Sequence, residues 1–121
     1  MRVVLVGALN GAFALAAGAF GAHLLDGRVA VADEALFQSA VIYQLVLAAA
    51  MVGMGGLKEY VIHGFWATAS VAMAVGTVLF SIGLYSSALG GPEFIGFAAP
   101  IGGALVIIGW LLLAVSAARP S

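Results

Sequence analysis

The chain contains no cysteine, which removes disulfides, thiolate metal sites and cysteine nucleophiles together. Charge is nearly as scarce: 7% of the 121 residues are Asp, Glu, Lys or Arg, against roughly 25% in ordinary soluble domains, too few to cover a globular surface. The net charge of −1 comes with no basic or acidic run, so the sequence carries no nucleic-acid footprint. Sustained alternation of apolar and polar residues is missing too, which argues against a lipid-facing β-barrel. There is no Gly-rich nucleotide loop, no HExxH and no His-rich haem pair. Neither a cofactor nor a metal is therefore expected, and an enzyme is disfavoured; it would require His23 to act with Tyr85 or Asp26. What the chain has in abundance is apolar residues, 64% of the total, with a mean hydropathy of +1.22. The medium that suits such a chain is lipid.

A transmembrane helix takes about 20 residues, so four spans with short turns account for nearly all of residues 1–121 as a single domain. The pattern predicts an all-α, integral membrane four-helix bundle with spans at about 3–25, 34–54, 64–89 and 99–117. Arg2, the VVLVGAL run and the small residues Ala17-Gly18-Ala19 would also suit a cleavable signal peptide; the segment is expected to be retained as the first span. Asp33 is the expected N-cap of the second span, with Glu34 in its first turn and Gly55-Gly56 as its stop. Gly90-Gly91-Pro92 breaks the third span, residues 93–98 read as an apolar connector at the interface, and Pro100 suits the first turn of the fourth. Arg2, Lys58 and Arg119 fall on one side of this layout and Arg28 on the other. By the positive-inside tendency both termini face the cytoplasm.

Two apolar helices gain little hydrophobic free energy by pairing in lipid. They associate instead through close backbone approach across small residues. Gly7, Gly11, Ala14, Gly18 and Gly21 alternate at spacings of four and three, which draws one stripe down the first helix. Ala69, Ala72, Gly76, Gly83 and Gly90 do something similar in the third span, and Gly102 and Gly109 stand seven apart in the fourth. These glycines are the candidate packing positions. The identities shared by spans one and three are too few to establish a duplicated hairpin.

The polar residues within or beside the spans admit two readings each. His23, three residues before Asp26, is either a proton carrier or metal ligand or, the preferred reading, a hydrogen bond fixing the first span against the second. His63 falls on the opposite side and cannot share a site with it. Gln44 lies near mid-membrane, on the face of Phe37, Ala40, Leu47 and Met51; it and Asn10 read as interhelical glue rather than as substrate-binding amides. Thr77, Ser81 and Tyr85 recur at spacings of four and form one strip. They either line a small cavity with His23 and Gln44, or the hydroxyls satisfy the carbonyls four residues back while Tyr85 anchors at the interface. Tyr60 and Trp66 read as belt residues at the inner end. No Asp, Glu, Lys or Arg lies deep in any span, which disfavours an ion-coupled transporter.

Gly18-Ala19-Phe20-Gly21-Ala22-His23, then Phe37 and Ala40-Val41-Ile42-Tyr43-Gln44, resemble the "domain of unknown function 423" family, which includes the transmembrane-protein-256-like proteins. Phe80-Ser81-Ile82-Gly83-Leu84-Tyr85 and Pro100-Ile101-Gly102-Gly103 leading to Gly109-Trp110 extend the resemblance, in order, over essentially the whole chain. It implies a small multi-span protein of the bacterial cytoplasmic membrane with no assigned activity. One departure stands out: the family pattern has a His shortly after the Tyr-Gln pair, where this chain has Leu47, so no histidine pair is implied.

His23, Tyr43, Gln44, Ser81 and Tyr85 all fall toward the outer half and are expected to form one polar cluster between helices. The expected role is a structural or accessory bundle that packs with copies of itself or with a larger membrane complex. The alternative is a small homo-oligomeric channel or carrier whose path is lined by Gln44, Thr77, Ser81 and Tyr85. A dry, packed interior favours the first; a water-filled lumen favours the second.

Overall fold

The computed structural model describes residues 2–118; Arg119, used above for orientation, lies outside them. Four long helices dominate: α1 (Arg2–Phe20), α2 (Val31–Leu57), α3 (His63–Ala88) and, after a single turn α4 (Glu93–Gly96), α5 (Ala98–Ala118). Together with the short helical turns that continue them they run for 24, 30, 26 and 26 residues. At 1.5 Å per residue each exceeds the ~30 Å hydrocarbon core. All four are long and apolar enough to cross a membrane. Helix is the structure such a chain must take there, because it satisfies every backbone N–H and C=O within its own segment.

Several boundaries differ from those the sequence predicts. Helix α2 begins at Val31 with Ala30 as its cap, and no side chain caps it; Asp33 is not the N-cap but sits with Glu34 inside the first turn, where both carboxylates oppose the positive end of the helix dipole. Gly55-Gly56 does not stop the helix. It continues to Leu57 and tightens into a 3-10 turn, Lys58–Tyr60, and the Met54 carbonyl in the last turns accepts a hydrogen bond from Trp66 Nε1 at 2.8 Å. That contact makes Trp66 a buried tie between α2 and α3 rather than a belt residue. The connector at 93–98 contains a helical turn. The third span ends as predicted, with Gly90 at φ +76° and Gly91 N–H donating to Ser86 O at 2.7 Å. Only a residue without a Cβ takes that left-handed position at no steric cost.

Consecutive helices pair as antiparallel hairpins, α1 with α2 and α3 with α5, and α2 joins the hairpins by packing on α3. Small residues make both hairpins close. A Cβ on Gly7 would stand 2.9 Å from both the Ala48 carbonyl oxygen and Met51 Cβ. One on Gly21 would stand 2.7 Å from the Phe37 ring. Gly18 faces Val41 and Gly11 faces Ala48 with more room, 3.2 and 3.6 Å. On the other hairpin Gly83 lies against the Ala99 backbone, Gly102 against the Phe80 and Gly76 backbones, and Gly109 against Met73.

Between the hairpins the core has two apolar clusters. One, at the end where α1 begins, gathers Val3, Leu47, Met51, Met54, Trp66, Met73 and Val106. The other, at the far end, gathers Leu25, Phe37 and Ala88.

Glycines that touch a facing backbone should respond oppositely to those that face nothing. Gly102→Ala should destabilise the extracted protein by about 1–3 kcal/mol, the usual cost of overpacking, because neither Phe80 N nor Gly76 O belongs to a side chain that can move aside. Gly53→Ala, where an added Cβ meets nothing within 4 Å, should be neutral or stabilise by up to about 0.5–1 kcal/mol through helix propensity. Denaturant unfolding in detergent, followed by circular dichroism, measures both.

Candidate functional site

The polar groups of the interior form a layer between the two apolar clusters. Asn10 stands three residues after Gly7 and four before Ala14, both buried, Gly7 against α2, so the helical repeat turns it toward the same interior face. Gln44 comes from α2 with Ala40, Leu47, Ala48 and Met51, all buried. Tyr85 comes from the last turn of α3, and its ring is held edge-on by Phe13 of α1 and Phe37 of α2, at centroid distances of 5.8 and 5.1 Å. Three helices thus meet in one relay. Tyr85 O–H donates to Gln44 Oε1 at 2.8 Å, Gln44 Nε2 donates to Asn10 Oδ1 at 2.9 Å, and Asn10 Nδ2 donates to the Val6 carbonyl at 2.9 Å.

The relay has a fixed direction. A carbonyl only accepts, so Val6 O requires the Asn10 amide to present nitrogen to it and oxygen to Gln44. Gln44 must then present nitrogen to Asn10 and oxygen to Tyr85. Each amide keeps one N–H that the relay does not use, and the phenol oxygen keeps its acceptor capacity. One and two turns back along α3, Ser81 and Thr77 are 4% and 0% exposed, and neither hydroxyl oxygen has a hydrogen-bond partner. The alternative that they bond the carbonyls four residues back is therefore corrected: Ser70 and Thr68 do so, Thr77 and Ser81 do not. Buried polar groups usually find a partner, so this pair marks an unsaturated spot in the layer.

A cavity of about 440 Å³ opens between α1 and α3 beside this layer. Asn10, Gln44, Ser81 and Tyr85 form its polar wall, and Leu9, Phe13, Val78 and Ile82 its apolar rim. No charged side chain lines it.

Of the cluster expected from sequence, Gln44, Ser81 and Tyr85 come together here. Tyr43 does not join them. It is 53% exposed and packs edge-on against Phe80 at 5.5 Å, in a separate groove shared with Trp110 of α5. One residue along a helix is a turn of about 100°, so Tyr43 and Gln44 face different neighbours. His23 does not join them either: α1 widens into a π-turn over Gly21–Leu25, which buries Gly21 and Leu25 and leaves His23 exposed at the end of the bundle. His63 lies at the opposite end, its ring stacked on Trp66 at 5.8 Å, with Lys58 Nζ 5.5 Å from the same indole. Among the described residues no three His, Cys, Asp or Glu side chains gather where they could hold a metal. Asn10 lies outside the cluster expected from sequence yet bonds Gln44; its signal in the sequence is its place on the small-residue face between Gly7 and Ala14.

Four apolar helices closed by glycine contacts around an uncharged polar layer define a small α-helical membrane protein. Its relatives agree. A family model described as "Protein of unknown function (DUF423)" matches residues 17–103, and the chain belongs to that family. It is similar to the "UPF0382 inner membrane protein YgdD" of Escherichia coli (strain K12), 33% identical over 117 residues, which cover 97% of this chain and 89% of that protein. It is also similar to the "UPF0382 membrane protein SERP0230" of Staphylococcus epidermidis, 35% identical over 114 residues, covering 93% and 92% of the two chains. No solved structure matches.

Single substitutions should separate the relay from the exposed histidine. Gln44→Ala leaves both the Tyr85 hydroxyl and Asn10 Oδ1 unpaired and should cost about 1–3 kcal/mol, whereas His23→Ala should stay within about 0.5 kcal/mol of the parent. Tyr85→Phe should cost about 0.6–1.7 kcal/mol, the range of interhelical hydrogen bonds in lipid. Combined with Gln44→Leu it should cost less than the sum of the two, a coupling that a double-mutant cycle of unfolding free energies in detergent measures directly.

Proposed function

We propose that this protein is a structural or accessory component of the bacterial inner membrane rather than an enzyme: a bundle that packs with copies of itself or with a larger membrane complex. The observation that carries this reading is the closure of the polar layer on both sides. Toward the N-terminal end the α3 strip runs into Met51, Met54 and Met73, each no more than 1% exposed. Toward the far end it meets Phe37, Leu25 and Ala88. Within the layer Asn10, Gln44 and Tyr85 are bonded to one another. A hydrated solute crossing the monomer would have to displace packed methionines and break that relay.

The outer surface supports the packing half of the proposal. Helix α5 buries Gly102, Val106, Gly109 and Ser116 in the bundle, leaving Ile101, Ile107, Trp110 and Leu111 exposed to lipid or to another helix. The inner-membrane location is supported by the similarity to the Escherichia coli inner membrane protein. Arg2 and Lys58 at one end of the bundle, against Arg28 at the other, support the reading that both termini face the cytoplasm, by the positive-inside tendency.

A second reading, a homo-oligomeric channel or carrier, draws support from the cavity beside Gln44, Ser81 and Tyr85. Native mass spectrometry of protein extracted gently from its own membrane at natural abundance, paired with solute flux into liposomes, separates the two. The expected result is co-extraction with a second copy or with one larger complex, and liposomes no leakier than empty ones. Solute flux carried by a homo-oligomer, and lost on Gln44→Leu, would replace the first reading by the second.

A further inference from the structure

The α1/α3 contact is much looser than those of α1 with α2, α2 with α3 and α3 with α5, and a crevice follows from it. Beyond the cavity at the polar layer, a second hollow of about 430 Å³ continues along Phe13, Ala17, Phe20 and Leu89. It shares Phe13 and Tyr85 with the first. In the other direction a hollow of about 330 Å³ along Val6, Ala74 and Val75 shares Val78. The crevice is apolar along these lengths and polar at one level only. Its rim residues Leu9, Phe13 and Ile82 are exposed, so it opens sideways, toward lipid, and not toward either aqueous end.

The polar level has a definite hydrogen-bonding character. Asn10 and Gln44 each retain one amide N–H, and Ser81 retains its O–H because its oxygen has no partner. These three donors are wholly unpaired, whereas the Asn10 and Gln44 oxygens each already accept one bond. A buried donor without a partner costs about 1–3 kcal/mol, so a group offering an acceptor oxygen is favoured there. The wall carries no charge, and it lies at the depth of Gln44, well inside α2. A phospholipid could not bring its charged head to that depth without leaving the interface. A neutral molecule already dissolved in the hydrocarbon could.

We propose that this notch, walled by Asn10, Gln44, Ser81 and Tyr85, binds a neutral membrane-dissolved amphiphile through a carbonyl oxygen, with the apolar body of the ligand lying along the α1/α3 crevice. The cavity volume of about 440 Å³ falls within the usual ~300–1,000 Å³ of ligand sites. The carbonyl can belong to a quinone ring or to the ester of an uncharged acyl lipid. The recognition is the same in both cases: amide and hydroxyl donors to a C=O group in a water-poor, laterally open site. The site stands whether or not the bundle has a protein partner.

The test uses the full chain in phosphatidylcholine nanodiscs doped with decylbenzoquinone, with dioleoylglycerol, or with hexadecane, which lacks a carbonyl. Native mass spectrometry counts adducts, and isotope-edited infrared spectroscopy reads the ¹³C=O stretch. We expect one adduct per chain for at least one carbonyl compound, with its stretch lowered by hydrogen bonding, and no competition from hexadecane. Binding of only one of the two identifies the source as ring or ester. Ser81→Ala should weaken binding about three- to tenfold, one hydrogen bond's worth, with an unfolding midpoint of the ligand-free protein no lower than the parent's, because Ser81 Oγ bonds nothing within the protein. Leu9→Trp, a substitution at an exposed position on the rim, should abolish binding without touching the relay. No adduct, undiminished adduct in either variant, or equal competition by hexadecane overturns the proposal.

Discussion

The structure depends on one constraint: in lipid, two apolar helices gain almost nothing by hiding side chains from a solvent that is equally apolar. Cohesion has to come from contact density and from polar groups that have nowhere else to turn. The α3/α5 hairpin takes the first route almost completely. Gly76, Gly83, Gly102 and Gly109 bring the backbone of one helix against the backbone or first side-chain atoms of the other. At that separation many weak dispersion contacts act at once. The α1/α2 hairpin does the same with Gly7, seats the Phe37 ring against Gly21, and relaxes in the middle at Gly11 and Gly18.

Between the hairpins the second route takes over. Helix α2 meets α3 through methionines, whose unbranched chains fill irregular space, and through the relay from Tyr85 to Val6. The relay is directional because it terminates on a carbonyl, and it spans α3, α2 and α1 in that order. It therefore specifies which helices are neighbours and at what height they meet, something a uniformly apolar surface leaves undetermined. Phe13 and Phe37 contribute by fixing the Tyr85 ring at the angle from which its hydroxyl reaches Gln44. Aromatic clamp and amide pair are one device, assembled from three elements.

Much of this is legible in the sequence, and the part that is not has a physical reason. Helix number, the approximate spans, the glycine seams and the depth of Gln44 all follow from apolar length and from the 3.6-residue repeat. The same repeat contained the corrections. Asn10 shares a face with Gly7 and Ala14, and Tyr43 stands a hundred degrees from Gln44, so adjacency in sequence suggested a partnership that helical geometry forbids. His23 failed to join for a different reason. A π-turn changes the phase of the last turn of α1, and no residue type announces a π-turn. The end of α2 differs from the expectation because Trp66, from the next helix, supplies a bond to Met54 O, a tie that local sequence cannot reveal.

The two modes of cohesion also explain where the molecule is left open. Glycine seams leave little space, since they bring one helix backbone directly onto its neighbour. A polar relay holds helices at side-chain length and leaves gaps on either side of itself. The crevice lies between α1 and α3, the pair that the relay connects end to end and that no glycine seam closes. Ser81 and Thr77 border the same region with unpaired hydroxyls, whereas Ser70 and Thr68, outside it, bond their own helix. An interior built only for cohesion would replace Ser81 with alanine at no loss of internal bonding. Retaining an unbonded hydroxyl beside two spare amide protons, where the bundle opens to lipid, fits a wall that meets something the lipid brings to it.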